Sequence, residues 1–244
     1  MFQIEAAGLV IQIENRYDYI YDLCREYRTS PDRPADITVA VSEKELQEEI
    51  EKTPQYDLDN EYCESVVAYE RISNALPAFD AFIMHASAVA VDGWAYCFSA
   101  ESGVGKSTHT RFWKDVLENQ VTIINGDKPI FRFVNDQLMV YGSPWCGKEN
   151  WQTNTKAPVR ALCLLKRSVE NSIYPVNAFE LLNEIIPNFH LPGSSQVDMP
   201  KLIDLIDRMI AKVPVYRLCC RNDKSAAKTA MMYFGLDCPD NIKC

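Results

Sequence analysis

The 244-residue chain carries 34 Asp and Glu residues against 25 Lys and Arg residues, a net charge of −9. Because nucleic-acid binders draw much of their affinity from cations that contact phosphates, this balance argues against a nucleic-acid partner. The length suits one large domain, or a core with a small lobe, that buries roughly 70–75% of its unfolded surface.

Nine cysteines are spread along the chain without a CxxC pair. An odd number without ligand spacing argues against a disulfide framework or a zinc site and favours reduced thiols. The N-terminus lacks a basic region followed by an apolar stretch, and no run approaches the roughly 18 apolar residues of a membrane span. We therefore expect a cytoplasmic protein that has no membrane partner.

The first 80 residues are predicted to form a small β-rich N-terminal lobe. Apolar and β-branched residues predict strands within 2–13 and 37–41, with a turn at 30–34. Ser42 and Glu45 have the spacing of a capping box, which predicts a short helix to about residue 52. Helical spacing then continues over 62–82, where Pro77 should kink or split the helix.

Residues 81–244 are predicted to form the core. Strands at 86–91 and 94–99 flank Asp92-Gly93, a dipeptide that type I′ hairpin turns prefer. A helix over 107–118 is followed by a buried strand over 121–127, which ends in Asp127 like a Walker B element. Further strands are expected at 130–134, 138–141 and 160–165, and helices at 178–186, 199–211 and 223–234.

Residues 100–107, between the second hairpin strand and the first core helix, read Ala-Glu-Ser-Gly-Val-Gly-Lys-Ser. Glycines let successive N–H groups point inward, the lysine reaches terminal phosphates, the serine hydroxyl ligates Mg²⁺ and the helix N-terminus attracts anions. Ala100 replaces the first glycine of this motif, which is harmless where φ is negative. The loop predicts binding of ATP, or another nucleoside triphosphate, with Mg²⁺, through Ser102, Gly103, Val104, Gly105, Lys106, Ser107 and Thr108.

The residues around this loop form a wider pattern. The loop is preceded by His85-Ala86-Ser87, Val89-Ala90-Val91, Gly93 and Phe98, and followed by the acid at 127. This arrangement resembles the catalytic domain of HPr kinase/phosphorylase and its smaller relatives, in which a histidine opens a strand fifteen residues before the loop. The resemblance covers residues 83–130 well and extends loosely to about residue 240.

The resemblance implies an α/β fold with a mixed sheet, related to ATP-type phosphoenolpyruvate carboxykinase. It also implies Mg²⁺-dependent phosphoryl transfer from ATP to a serine hydroxyl, and assembly into homo-oligomers. His85 matches the family's active-site histidine, while Lys106 and Ser107 match its nucleotide and metal residues. Asp127 matches one of two adjacent acids, and Gly126 occupies the place of the other.

Phosphoryl transfer requires charge neutralisation, in-line positioning and a group that orients or deprotonates the acceptor. We predict His85, Asp127 and Lys148 as catalytic residues, with the metal shared by Ser107 and Asp127. Without this context, a histidine beside an apolar strand, such as His85, is more often structural than catalytic. Lys148 lies in the glycine- and tryptophan-containing segment 142–151, where it could clamp the transferring phosphate while Trp145 walls the acceptor pocket, or simply belong to a solvated turn.

The other two histidines are assigned no chemistry. His109 and Arg111 are expected on a solvated face of the helix after the loop. His190 is expected in a loop, and the adjacent pair Cys219 and Cys220 in a late strand.

The sequence favours a kinase that phosphorylates a hydroxyl, with serine preferred, on a peptide, a small protein or a small metabolite. The first rival hypothesis is a nucleotide-binding accessory or switch protein without phosphoryl transfer, motivated by Gly126 and Ala100. The second rival is simple nucleotide hydrolysis, which is disfavoured because Lys128, not Gln or Glu, follows Asp127. Restoring the missing acid by Gly126→Asp should separate a decayed enzyme from one in which Asp127 suffices.

Overall fold

The computed structural model describes residues 1–52, 59–101, 103–190 and 198–237. Its strands are β1 Phe2–Ala6, β2 Leu9–Glu14, β3 Ile37–Ala40, β4 Ala81–Ile83, β5 Ala86–Val91, β6 Trp94–Ser99, β7 Thr122–Asn125, β8 Ile130–Val134, β9 Gln137–Tyr141, β10 Lys156–Arg167, β11 Ser172–Pro175 and β12 Val215–Cys220. Its α-helices are α1 Asp18–Leu23, α2 Glu43–Lys52, α3 Asn60–Ala75, α4 Lys106–Leu117, α5 Ala178–Ile185, α6 Met199–Lys212 and α7 Lys224–Tyr233.

The N-terminal lobe contains a three-stranded sheet in the order β1-β2-β3, with β3 parallel to β2. Helices α1 and α2 accompany this sheet, so the lobe is mixed rather than β-rich. Helix α1 has only six residues, too few for a recognisable helical period. The capping box of α2 forms as predicted: the Glu45 N–H donates to Ser42 Oγ at 3.3 Å, and the Ser42 N–H donates to the Glu45 carboxylate at 3.0 Å.

Helix α3 joins the lobe to the core. It ends at Ala75, and Pro77 lies in the 3-10 turn that follows, so the predicted split occurs. The prediction of helix up to residue 82 is wrong, because residues 81–83 form strand β4, which pairs with β8. The apolar core of the lobe extends to five buried residues of the core region, Ala81, Ile83, Ile130, Tyr141 and Trp145. The two regions therefore pack directly against each other.

The core region contains a mixed sheet in the order β4-β8-β9-β10-β6-β5-β7, with β12 on β10 and β11 on β12. The predicted α/β class with a mixed sheet is confirmed. Helices α4 and α7 belong to the apolar cluster on one side of this sheet, and α6 belongs to a second cluster. None of the helices in the described ranges is long and apolar enough to cross a bilayer.

Strands β6, β10 and β12 run parallel and end at Ser99, Arg167 and Cys220. In open α/β sheets, ligands bind beyond the carboxyl ends of the strands. Ala100 and Glu101 leave this edge directly after β6, so the predicted phosphate loop begins where ligand binding is expected.

Candidate active site

The predicted phosphate loop contains two glycines in the left-handed region of backbone conformation. Gly103 and Gly105 have φ angles of +80° and +123°, a region that side chains with a Cβ rarely adopt. Ala100 is not among the residues with positive φ, so its replacement of glycine is harmless as predicted. Gly105 precedes α4 without a side-chain cap, which leaves N-terminal amides of the helix available to an anion. Ser102 lies outside the described residues.

The register of the hairpin explains the position of His85. Ala86 pairs with Ser99 across the antiparallel strands, so His85 stands opposite Ala100, the first residue of the loop. The main chain of His85 is held on both sides: its N–H donates to Asn188 O at 2.6 Å, and its carbonyl accepts from Ser99 Oγ at 2.8 Å. The fifteen-residue interval in the sequence is therefore the length of the hairpin.

Strand β5 also brings the acid to this histidine. It pairs with β7 on its other side, and the Ala86 N–H donates to Asp127 O at 3.1 Å. His85 thus lies between the phosphate loop and Asp127. Its Nε2 atom is 2.9 Å from Asp127 Oδ1 and 2.8 Å from Lys106 Nζ. Three of the predicted residues form one contact cluster.

His85 Nε2 cannot form hydrogen bonds to Asp127 and to Lys106 at the same time. A protonated Nε2 donates to the carboxylate of Asp127, and an unprotonated Nε2 accepts from the ammonium of Lys106. Any anion that attracts Lys106 into the loop removes this competition. The bond from His85 to Asp127 then remains.

Burial and charge act on both ionisable ends of the cluster. Burial by itself would raise the pKa of Asp127, but the hydrogen bond from His85 and the charges of nearby lysines hold this pKa below its ordinary value. Asp127 therefore stays ionised at neutral pH. Burial lowers the pKa of Lys106, while the charges of Asp127 and Glu149 oppose the shift.

Asn125 positions Asp127. Its side-chain oxygen accepts from the N–H groups of Asp127 and Lys128 at 2.8 and 2.7 Å. Its amide nitrogen donates to Ser143 O and Oγ, both at 3.1 Å, and to Trp145 O at 3.3 Å. One buried side chain thereby joins the turn that carries the acid to the segment 142–151. Asn125 was not predicted as a site residue, although a buried amide at the end of an apolar strand is a signal for such a role.

The segment 142–151 fills the space beside Gly126. The Gly126 N–H donates to Trp151 O at 2.8 Å. A Cβ at position 126 would lie 3.2 Å from Cys146 O and 3.3 Å from Trp151 Cβ, closer than such contacts usually are. The place of the family's second acid is therefore packed by main chain, and Gly126→Asp does not simply restore a carboxylate.

Two clefts meet at the cluster. The loop cleft, of about 840 Å³, is lined by His85, Ala100, Glu101 and Val104, by the end of β10, and by residues of β12 and of the stretch 183–188. The lobe cleft, of about 550 Å³, is lined by Asp127 and the segment 144–148 on one side and by residues of α1 and α3 on the other. The contact between His85 and Asp127 links the two clefts.

The structure places the remaining predicted residues as follows. Lys148 is exposed and lines the lobe cleft with Trp145, whose ring nitrogen donates to Ser65 O at 3.2 Å. Ser107 and Thr108 lie in the first turn of α4. Within the described ranges no group of three His, Cys, Asp or Glu side chains could hold a metal alone. Mg²⁺ at Ser107 and Asp127 would take its other ligands from phosphate and water.

The expectation for His109 is wrong. Its side chain is buried rather than solvated: Nε2 accepts from Trp113 Nε1 at 3.0 Å, and the ring contacts Phe98. The reason is that α4 lies with this face against the sheet. Burial lowers the pKa of His109 to about 3, so the ring is neutral.

Two further residues near the clefts were missed. Arg167, at the end of β10, donates through Nε to Val104 O at 3.1 Å and through Nη2 to Gly103 O. His190 lies beside the end of β4, where its N–H donates to Ile83 O at 3.1 Å, and it lines the lobe cleft. Neither residue had a local sequence signal, because contacts between segments distant in the chain bring each of them to the site.

No protein-family model and no curated protein matches this chain. Among solved structures, the chain is similar to the HPr(Ser) kinase/phosphatase from Coxiella burnetii, with 11% sequence identity and a TM-score of 0.35. The match covers 63% of this chain and 98% of that chain. A likeness at this level does not assign the chain to a family.

Proposed function

We propose that the protein is a kinase that transfers the γ-phosphate of ATP, with Mg²⁺, to a hydroxyl group of a peptide, a small protein or a small metabolite. The observation that carries this proposal is the 2.9 Å contact between His85 and Asp127, which joins the loop cleft to the lobe cleft. A transferase needs two sites that meet at the reacting phosphate. A hydrolase needs only water at the second position.

The residues of the loop fit a triphosphate and its metal. The glycine conformations, the uncapped start of α4 and the buried amine of Lys106 suit phosphate oxygens. Ser107 offers a hydroxyl and Asp127 a carboxylate, which are oxygen ligands of the kind Mg²⁺ takes. The metal would neutralise charge on the β- and γ-phosphates.

In the proposed reaction the acceptor hydroxyl lies in the lobe cleft beside Asp127. Asp127 accepts its proton while the acceptor oxygen forms a bond to the γ-phosphorus. The bond from this phosphorus to the bridging oxygen breaks, and ADP leaves. His85 holds the carboxylate of Asp127 in place, and Lys106 balances charge on the phosphates. Lys148, at the cleft, is the candidate clamp for the transferring group.

A nucleotide-binding protein without transfer is the second candidate. The observation that favours it is the packed space beside Gly126, since the chain offers a single carboxylate where the resembling family has two. Under this hypothesis the loop binds nucleotide, and Asp127 serves only to pair His85.

The test combines nucleotide titration with transfer of labelled γ-phosphate to panels of hydroxyl peptides and small hydroxyl compounds, compared with release of free phosphate. Lys106→Ala should abolish nucleotide binding. Asp127→Asn should retain binding but lower transfer at least 100-fold, within the range of general base catalysis. Asp115→Asn is the matched control, because Asp115 lies on α4 in an exposed ion pair with Lys224 at 3.3 Å.

The outcomes separate the candidates. Transfer that is unchanged in Asp127→Asn would refute the proposed mechanism. Nucleotide binding without transfer or phosphate release by the wild type would favour the accessory protein. Binding unchanged in Lys106→Ala would remove the loop from either function.

A further inference from the structure

The lobe cleft has an aromatic wall. Tyr19, Tyr62, Tyr69 and Trp145 line it from α1, α3 and the segment after β9. Its volume of about 550 Å³ lies in the range of sites for small ligands or a few side chains. Such a wall suits an acceptor with an apolar or aromatic portion.

Two acids, Glu70 and Asp127, and two lysines, Lys128 and Lys148, line the lobe cleft. Both acids contact groups that do not line it: Glu70 is 3.8 Å from Lys52, and Asp127 is 2.9 Å from His85. The two lysines that line the cleft, Lys128 and Lys148, form no ion pair with any part of the chain that the structure describes. In a protein of net charge −9, the cleft beside the candidate base thus presents two lysines that are free to contact an anion, although the charge of Lys128 also lowers the pKa of Asp127.

Lys128 and His190 both pack on the ring of Tyr69. The Lys128 ammonium lies 4.8 Å from the ring centroid, and the His190 ring centroid is also 4.8 Å from it. His190 Nε2 is buried and finds no hydrogen-bond partner among the described residues. A buried polar atom without a partner is costly, and since His190 lines the lobe cleft, a ligand there is a candidate partner for it. Burial and the charge of Lys128 lower the pKa of His190, so the ring offers a hydrogen bond while the lysine offers the charge.

We propose that the acceptor is a hydroxyl compound that also carries an anionic group and an apolar portion. Lys128 and His190 bind the anion, the aromatic wall contacts the apolar portion, and the hydroxyl points to Asp127. This inference rests on the proposed kinase function. The same chemistry is present in a free small hydroxy acid and in a peptide segment whose hydroxyl residue has an acidic neighbour.

Two matched probe pairs distinguish these sources in calorimetric titrations of the protein in the presence of Mg²⁺ and ADP. The first pair is 4-(hydroxymethyl)benzoate and 4-(hydroxymethyl)benzamide, which share shape and hydroxyl and differ in charge. The second pair is the acetylated and amidated peptides Phe-Ser-Glu and Phe-Ser-Gln. We expect the anionic member of one pair to bind about tenfold more tightly, the size of a charge-assisted hydrogen bond.

Lys128→Met should remove this preference because it keeps the length of the side chain and loses its charge. Lys156→Met is the matched control: Lys156 is exposed and lies 5.7 Å from the centroid of the Tyr141 ring, outside the residues that line the lobe cleft. Tighter binding of the anionic member of the first pair identifies a free hydroxy acid as the acceptor. Tighter binding of the anionic member of the second pair alone identifies a peptide segment.

Equal binding within both pairs, or a preference that survives in Lys128→Met, would overturn the inference. If Lys128→Met weakens ADP binding while any preference persists, Lys128 serves the nucleotide instead, and the inference is again overturned. These results leave the kinase proposal to its own test, because they measure acceptor binding without transfer. Failure of labelled transfer and of nucleotide binding would refute the kinase whatever the probes do.

Discussion

Gly126 gives the sharpest test of how the site is built. A Cβ at this position would lie 3.2 Å from Cys146 O and 3.3 Å from Trp151 Cβ, so the segment around Cys146 and Trp151 must move to admit any side chain. Overpacking of this kind costs about 1–3 kcal/mol. We expect Gly126→Ala to lose that much unfolding free energy, which lowers Tm by about 2–4 °C for each kcal/mol in a chain of this size.

The comparison of Gly126→Ala with Gly126→Asp separates packing from chemistry. The aspartate adds a carboxylate to a buried position, so its loss of stability should be at least as large. Both variants should also slow phosphate transfer, because the displaced segment includes Gly147, which packs against Asp127. A Cβ built at Gly147 would lie only 3.1 Å from the Cβ of Asp127. Urea unfolding and labelled transfer measure the two effects. A Gly126→Asp protein with wild-type stability and at least tenfold faster transfer would refute this reasoning and identify an open position for a second acid.

Three further predictions concern groups around the loop. The folded protein should lose stability as pH falls below 6.5. Buried His109 has a pKa of about 3, so in this pH range only the unfolded chain binds a proton at this histidine. Between pH 7 and 5 the free energy of unfolding should fall by about 2 kcal/mol because of this group. Denaturant unfolding of His109→Gln should lack this part of the pH dependence. An equal pH dependence in the variant and the wild type would contradict the prediction. Arg167→Met loses the hydrogen bonds to the loop carbonyls and should weaken ATP binding about tenfold. The control Arg160→Met, on the same strand, should leave ATP binding unchanged. Unchanged ATP binding in Arg167→Met would show that the loop keeps its conformation without Arg167. Asn125→Ala loses five hydrogen bonds and should cost about 3 kcal/mol or more by urea unfolding; a loss below 1 kcal/mol would show that Asn125 does not join the two segments.

Local patterns in the sequence were sufficient for the centre of the site. The Asp92-Gly93 turn is formed with positive φ at both residues, and the strands on either side have the predicted bounds. Since a hairpin register follows from its turn, the position of His85 opposite Ala100 is contained in the spacing of the sequence. The glycines of the loop and the acid after β7 are likewise short-range signals.

The surroundings of the site depend on contacts between distant parts of the chain. The lobe cleft combines Tyr19, Tyr69, Asp127 and His190, which no local period relates. His109 has the polarity of a surface residue, but the face of α4 that meets Phe98 buries it. Tertiary packing overrides a residue's average preference because burial is decided by which faces meet, not by residue type.

By itself, the sequence determined the glycine conformations of the loop after β6, the hairpin that precedes it and the identities of the three residues in the Lys106, His85 and Asp127 cluster, because backbone conformation and hairpin register act over short distances. Only the tertiary structure decided that main chain fills the space beside Gly126 and that the N-terminal lobe walls a second cleft at Asp127. Both depend on the packing of segments far apart in sequence, which no local pattern encodes.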